Sequence, residues 1–371
     1  KLRTSIIQKI KFNFLITIKD IAKEANVSPG TVDRVLHNRG GVSPKTEEKI
    51  KLILKQKKFK INLIASSLAM KRHQNLATLI PQYDDENLFW KSPFLGIQKG
   101  SHEVNAYGVE NHFFTFDQFN PKSYLKAFKK LIKTQPDAVI MVPLFIKETT
   151  KIIKVLDEKK IPFLFLNVGL QGFNNICYIG QKSFEAGILA GKLLDICLDN
   201  FDELLIILTR KNLYDYEAIL ERVKGFIYYF NNNKPNTKIH QLQFGKPNEV
   251  EKSADKINVY LEKHPEIKGI MVPSSRISNV CRVIDADKLS HLKAVGFDTT
   301  PQNVNALAEG VVTFLISQKS FNQGYKSIIT MSNYLVQKEL PKNEISTPLE
   351  ILTMENYKFS HSEERNYFQE S

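Results

Sequence analysis

From Leu76 onward, short apolar runs alternate with longer segments whose apolar residues recur every three or four positions. The runs "LATLIP", "ENHFFTF", "DAVIMVPL" and "PFLFLNVG" have the length and composition of strands. The stretches "FLGIQKGSHEVNAY", "PKSYLKAFKKLIKT", "TTKIIKVLDEKK" and "SFEAGILAGKLLDICL" follow them at helical spacing. Near residue 200 the cycle restarts, with "ELLIILTR", "AILERVKGFIYYFNN", "TKIHQLQF", "EKSADKINVYLEKH", "IKGIMVPS" and "HLKAVGFD". Alternation of this kind predicts parallel sheets covered by helices on both faces, and the restart predicts two similar lobes. Ligands of such folds bind beyond the carboxyl ends of the strands, so two lobes predict a cleft between them.

The front of the chain has a different rhythm. In "TIKDIAKEANVSPGTVDRVLHNRG", Ile18, Ile21, Ala22 and Ala25 make one helical stripe, with Thr17 as its expected N-cap. Asn26 tolerates the left-handed conformation that ends a helix, and Val27 can plug the corner. Ser28 then caps a second helix, and Pro29 suits its first position because no N–H is needed there. Val32, Val35 and Leu36 face back onto the first helix. The outward face is small and polar: Pro29, Gly30, Thr31, Asp33, Arg34, His37 and Asn38. Ser43-Pro44 opens a third helix, with Ile50, Ile53 and Leu54 inward and lysines outward. "INLIASSLAMKR", residues 61–72, is too short to be a stable helix alone and needs a second copy or DNA to fold against.

Charge separates the two regions. The formal net charge is +13; residues 1–16 hold four basic and no acidic groups, and residues 17–74 hold thirteen basic and five acidic. The remaining chain is therefore close to neutral, and a polyanion partner is expected for the front alone. Cys177, Cys197 and Cys281 lack the number and spacing of a disulfide framework or zinc site, and buried free thiols are expected, Cys197 and Cys281 within helices. No apolar run reaches the ~20 residues of a membrane span. Residues 1–16 mix basic and apolar residues without a clear cleavage site and read as an extension. A cytoplasmic location is the expectation.

The order "IKDIAKEANVSPGTVDRVLHN", then Val42-Ser43, then "NLIASSLA" closely resembles the LacI family of bacterial transcription regulators. The resemblance implies that Ser28 to Leu36 is a recognition helix. Pro29 and Gly30 would stand at its main specificity positions, with Thr31 and Arg34 contacting bases or phosphates. It implies DNA contacts from Thr17, Ser28, His37, Asn38 and Ala65 as well, and a Leu68 wedge in the minor groove of a kinked operator. Two departures stand out: Asp33 occupies a position usually held by serine, and Gly30 has no side chain with which to read a base.

The body resembles the type I periplasmic sugar-binding fold that serves as effector domain in that family, anchored by "AVGFD" and "TFLISQKSFNQGY". By resemblance Asp298 closes a strand at the cleft, and Gln318, six residues before Gly324, is a cleft glutamine. Asn167 stands where an acidic residue is common, and Arg222, three residues before Gly225, where a ligand-binding arginine is common. Trp90 and Phe94 in the first strand-to-helix loop could stack on a sugar ring. Ser274, Ser275 and Arg276 replace a common Asn-Asp pair, so an anionic ligand could gain from two arginines. Asp298 and Gln318 are expected on opposite sides of the lobe crossover. Each residue also has a plain structural reading. Asp298 could cap a helix running into "TPQNVNALAEG", Arg222 could pair with Glu217 or Glu221 at the surface, and Trp90 could be core.

The architecture expected is α/β: a two-lobed parallel-sheet effector domain behind an all-α helix-turn-helix domain. The expected boundaries are an extension over 1–16, a DNA-binding domain over 17–60, and a hinge over 61–74. A ligand-binding and dimerisation domain over 75–360 and a tail over 361–371 complete the chain. The function expected is a DNA-binding transcriptional regulator, a homodimer on double-stranded operator DNA, controlled by a sugar or sugar derivative. A periplasmic-type solute-binding protein is the alternative, disfavoured by the basic front. With no Gly-rich phosphate loop, nucleophile elbow or metal-spaced His/Cys cluster, no catalytic residue, metal or cofactor is expected.

Overall fold

The computed structural model describes residues 18–36, 40–57, 73–84, 88–199, 202–209, 216–245, 250 and 254–360. The chain divides into two compact units, the first grouping Lys1–Arg72 with Asn333–Glu339 and the second His73–Ser332 with Leu340–Ser371.

In the first unit, helices α1 (Ile18–Ala25), α2 (Pro29–Leu36) and α3 (Pro44–Gln56) enclose a small core of Ile21, Ala22, Ala25, Val32, Val35, Ile50 and Ile53. Asn26 ends α1 at φ 57°, and the Val27 N–H returns to the Ala22 carbonyl at 2.9 Å. Both later helices open on Ser-Pro. The Ser28 hydroxyl accepts the Thr31 N–H at 3.1 Å and the Ser43 hydroxyl that of Thr46 at 3.3 Å. These caps satisfy donors that the first helical turn leaves unpaired.

Among the described residues, the second unit contains two six-stranded sheets. Its elements run β1 (Gln74–Pro81), α4 (Lys91–Asn105), β2 (Val109–Phe116), α5 (Pro121–Leu131), β3 (Ala138–Met141), α6 (Ile146–Glu158), β4 (Phe163–Asn167), β5 (Cys177–Gly180) and α7 (Ser183–Asp195). They continue β6 (Glu203–Leu208), α8 (Glu217–Asn233), β7 (Ile239–Gln243), α9 (Ala254–Lys263), β8 (Ile267–Met271), α10 (Ile277–Arg282), α11 (Ala286–Leu289) and β9 (Lys293–Phe297). The last are α12 (Pro301–Ala308), β10 (Phe314–Ser317), α13 (Ser320–Gln337), β11 (Glu344–Ser346) and β12 (Glu350–Leu352). Lobe 1 has the order β11-β5-β4-β3-β1-β2 and lobe 2 the order β12-β10-β9-β8-β6-β7. Among the described residues, only the β10–β12 pair is antiparallel. The central strands "AVIM" and "FLFLN" are buried along their whole length, as helices on both faces of a parallel sheet require.

The lobes exchange helices. Helix α7 leaves β5 of lobe 1 but buries Ala186, Ala190, Leu193 and Leu194 in the core of lobe 2. Helix α13 leaves β10 of lobe 2 and packs on α4 of lobe 1. These packings are unusually close: a Cβ on Gly225 would lie 1.9 Å from the Phe184 carbonyl oxygen, and one on Gly96 1.9 Å from that of Phe321. Only glycine permits such an approach of two backbones.

Four short strands, β5, β10, β11 and β12, do not register in the hydrophobic pattern; β3 is as short as β5 and β10 but stands in the longer apolar run "DAVIMVPL". Cys197 lies not in a helix but half-buried in the turn after α7, whereas Cys281 is buried in α10 and Cys177 in β5. Burial raises the Cys281 thiol to about 12, which makes it inert. Among the described residues, no helix is long and apolar enough to cross a membrane.

Candidate functional site

The first unit offers a face at the start of α2. Ser28, Pro29, Gly30 and Arg34 are exposed there and Thr31 is half-buried, while Val32 and Val35 turn inward. The Ser28 and Thr31 hydroxyls lie 2.9 Å apart, so each is oriented by the other. A Cβ on Gly30 would meet nothing closer than the Ser28 hydroxyl at 3.7 Å, which leaves the helix start bare. Two lysines of the third-helix region are spent on neighbours, Lys51 on Glu47 at 2.5 Å and Lys57 on Glu24 at 3.1 Å. Such exposed pairs are worth little, ~1 kcal/mol at most. Lys45 and Lys49 stay exposed on α3. Thr17, His37, Asn38, Ala65 and Leu68 lie outside the described residues.

In the second unit a cavity of about 80 Å³ opens where the carboxyl ends of the two sheets face each other. A single water needs roughly 10–15 Å³ measured in the same way, so a compact ligand the size of several waters fits. Trp90, Asn167, Arg222, Ser274, Arg276, Asp298 and Gln318 all line it.

Arg222 occupies the second turn of α8 and is 4% exposed. Its Nη1 donates to the Pro273 carbonyl at 2.7 Å, and its guanidinium lies 4.1 Å above the Phe297 ring centroid. The Gln181 side-chain oxygen accepts from its Nε at 2.9 Å and from its Nη2. Glu221 bonds Lys224 instead, so the surface-pair reading of Arg222 is wrong. Its position inside the fold follows from the helix: Val223 and Phe226 on the same side are buried.

Asp298 follows β9 at φ 71°, and Asn167 ends β4 at φ 66°. Each sits at the same station of its lobe in the left-handed region, which asparagine and aspartate tolerate better than other residues with a side chain. Asp298 does not cap the next helix; Thr300 does, accepting the Asn303 N–H. Asp298 is instead joined to Gln318, whose Nε2 donates to Oδ1 at 2.6 Å. Gln318 in turn accepts from Asn167 Nδ2 at 2.9 Å, which also donates to Gln323 at 2.9 Å. A continuous chain of amides thus links lobe 1 to the acid of lobe 2. Contrary to the expectation that they stand on opposite sides of the lobe crossover, Asp298 and Gln318 rise from adjacent strands, β9 and β10, of one sheet.

Electrostatically the floor of the cavity is a buried pair. Burial raises the Asp298 carboxyl above the usual carboxylate range, opposed by the Arg222 charge and the Gln318 hydrogen bond. Burial also lowers Arg222, with Asp298 and Tyr178 working the other way. Because Arg222 already has Asp298 as counter-charge and three further partners, the expected gain for an anionic ligand narrows to Arg276.

The aromatic side is set by Trp90, 4% exposed, whose Nε1 donates to Gln118 Oε1 at 3.3 Å. Tyr216, from the loop before α8, lines the same cavity and donates its hydroxyl to the Gln118 carbonyl at 2.7 Å. Phe89 completes this wall. Phe94 does not take part and corrects the expectation. Helix α4 starts at Lys91, so Phe94 falls inside its first turn. Its ring packs on Phe113 of β2 at 4.5 Å and on Tyr83 at 5.3 Å.

Several contributors escaped the sequence reading. Gln181 was marked by an internal repeat, Gln181-Lys182-Ser183-Phe184 against Gln318-Lys319-Ser320-Phe321, each leaving a strand and opening an exchanged helix. Asn303, fully buried, donates to the Ser275, Phe297 and Asp298 carbonyls at 3.0–3.1 Å and so fixes the loops that carry Asp298 and Ser275. Nothing in its helix "PQNVNALA" announces that role. Gln118 and Tyr216 reach the site from loops, where periodicity is silent.

With this geometry in hand, similarity to known proteins is informative. Residues 77–339 match the periplasmic binding protein domain family, and residues 17–62 match the bacterial regulatory proteins of the lacI family. The chain is 26% identical over 299 residues to the HTH-type transcriptional regulator MalR of Streptococcus pneumoniae, covering 79% of this chain and 86% of that protein. Its fold is similar to a crystal structure of a putative LacI transcriptional regulator from Bacteroides fragilis. The TM-score is 0.71 at 22% identity, over 78% of this chain and 100% of that one. It is also similar to GanP, a glucose-galactose binding protein from Geobacillus stearothermophilus, with a TM-score of 0.66 at 21% identity over 77% and 99% of the two chains.

Proposed function

Since the chain belongs to the periplasmic binding protein domain family and carries a lacI-type regulatory domain at its front, we propose that it is a transcriptional regulator whose operator affinity is set by a neutral polyhydroxylated effector, a sugar or sugar derivative, held in the cleft. The observation that carries the effector half is the convergence of Asn167, Gln318, Asp298 and Arg222 on one cavity walled by Trp90. A sugar needs acceptors, donors and an apolar face together, because each hydroxyl taken from water must find a partner or cost a few kcal/mol. Asp298 and the amides supply the partners, and Trp90 with Phe89 the apolar wall. The internal Arg222–Asp298 charge balance favours an uncharged ligand.

On the DNA side, the bare start of α2 enters the major groove, and Arg34 reaches a base edge or phosphate. The working unit is a homodimer on a two-fold operator, as one recognition helix reads too few base pairs for specificity. The effector bridges lobes 1 and 2, and its binding is coupled to operator affinity by roughly 1–3 kcal/mol. A location in the cytoplasm follows from a DNA target.

The test has two arms. In the first, the Trp90 fluorescence of the full chain is titrated with neutral sugars, sugar acids, sugar phosphates and nucleosides, and the best ligand is retested on Asp298→Ala. A neutral sugar whose binding is lost in that variant supports the effector half; binding that survives overturns it. In the second, DNA affinity is measured against salt. A steep negative log–log slope and loss of binding in Arg34→Ala support the DNA half, and undiminished binding in that variant overturns the assignment of the face.

A further inference from the structure

At the end of lobe 2 remote from the cleft, five titratable side chains that operator and effector binding leave unused come together. His240, the second residue of β7, has a side chain 5% exposed. Its Nδ1 is 2.8 Å from the Tyr260 hydroxyl and its Nε2 is bonded to Glu203, the first residue of β6. His264, just past α9, lies beside it with ring centroids 4.8 Å apart, and stacks on Tyr260 at 4.5 Å. The His264 Nδ1 is 3.2 Å from a carboxylate oxygen of Glu266, which precedes β8. One donor atom from each of His240, His264 and Glu266 lies within 4.8 Å of the other two.

We propose that His240, His264 and Glu266 form a binding site for a divalent transition-metal ion of the zinc type. Two imidazoles and a carboxylate are a donor set for Zn²⁺, Ni²⁺ or Cu²⁺, whereas Mg²⁺ and Ca²⁺ need oxygen donors. A metal-bound histidine is usually oriented by a partner on its other nitrogen. Both His240 nitrogens are engaged, one by Glu203 and one by Tyr260, so the ion displaces one of these partners while the other keeps the ring oriented. Tetrahedral coordination at the usual bond lengths brings donor atoms to about 3.3–3.6 Å from one another, closer than the present spread. The side chains that must close in are those free to do so: His264 and Glu266 are 30% and 37% exposed, against a fixed His240.

Charge permits the ion. Glu203 and Glu266 carry two negative charges and Lys238, 3.3 Å from Glu203, returns one, so with neutral imidazoles the cluster is anionic. The ion would tie the end of α9 to the starts of β7 and β8, with Glu203 of β6 behind it. The spacing of a histidine at 240 and a His-x-Glu at 264–266 matches no short metal motif, because the parallel sheet and not the local chain brings them together.

The experiment is titration of the full chain with Zn²⁺ by calorimetry, with Mg²⁺ as the control ion, together with Co²⁺ absorption spectra. We expect one Zn²⁺ per chain at this site, a rise in melting temperature on its addition, and visible Co²⁺ bands of a nitrogen–oxygen site. His264→Ala and Glu266→Gln, both at half-exposed positions, should each weaken Zn²⁺ binding by about tenfold or more and abolish the thermal shift. If one variant fails to fold, judged by Trp90 fluorescence without metal, the other decides. Unchanged Zn²⁺ affinity in a folded variant, or a response to Zn²⁺ no greater than to Mg²⁺, overturns the site and leaves the cluster as histidine–carboxylate pairs.

Discussion

Replacing Arg222 by Met tests whether the buried guanidinium holds the cleft together. Met keeps an unbranched apolar stem over Phe297 and removes every donor. The Pro273 carbonyl and the Gln181 amide oxygen then lose charged donors at 2.7 and 2.9 Å, bonds of a kind worth about 1.5–3 kcal/mol each. Asp298 also loses its counter-charge. Set against these losses, the guanidinium no longer has to be stripped of water, which by itself costs several kcal/mol. Removal of one partner from a buried ion pair in direct contact usually nets about 3–5 kcal/mol, whereas Arg222 and Asp298 interact through space without a direct bond. Asp298 relieves part of this by taking up a proton, toward which burial already pushes it, so the lower edge applies, about 3 kcal/mol near pH 7.5. For a unit of this size that lowers the melting temperature by roughly 6–12 °C. The assay is urea unfolding followed by Trp90, which lines the same cavity and is the single tryptophan of the chain. Combining the change with Asp298→Asn should recover about 1–3 kcal/mol relative to the sum of the single changes. A loss below ~0.5 kcal/mol, the usual limit for a substitution that touches nothing important, would refute the reasoning. Strict additivity in the double variant would do the same.

Gly225→Ala places a methyl 1.9 Å from the Phe184 carbonyl. The overpacking cost of about 1–3 kcal/mol should exceed the ~1 kcal/mol gained in helix propensity; a melting temperature above that of the parent would contradict the close-packing account. Effector affinity should fall on acidification from a pH above the ~4 of an ordinary aspartate. The raised Asp298 pKa means that its acceptor form exists above that value and is lost as pH falls through it. Asp298→Asn should flatten the profile, and an unchanged pH dependence in that variant would assign it elsewhere. The same raised pKa means that ionising Asp298 costs stability as pH rises, since the native state then binds protons more readily than the unfolded chain. Ser28→Ala removes the cap of α2 and should cost the first unit about 0.5–2 kcal/mol, seen as weakened DNA binding. The urea transition reported by Trp90, in the second unit, should not move.

Helices and strands of ordinary length were legible in the chain because each buries one face or one stripe, and that demand writes a period into the sequence. The Ser-Pro starts of α2 and α3 and the left-handed Asn26 are equally local, since capping and positive φ depend on residues within a few positions. The basic front was legible because charge needs only counting. Asp298, Gln318, Asn167 and Arg222 were reached by resemblance and not by any local rule. Their hydrogen bonds join positions 167, 298 and 318, and no period or spacing encodes a contact over that separation. Three- and four-residue strands are too short to show alternation, and of these β3 was legible only through the apolar run "DAVIMVPL" around it. Phe94 was misplaced because the start of α4, which swings the ring toward Phe113, is set by packing on β2 and not by the loop sequence. Gln181 carried a local mark, the Gln-Lys-Ser-Phe repeat, but Asn303 and the His240–His264–Glu266 cluster came from topology: the packing of the loops after β8 and β9 and the side-by-side order of β6, β7 and β8 bring together residues that the chain keeps apart. Burial then sets which of them carry a perturbed charge, because the cost of removing water from an ion is decided by its surroundings in three dimensions.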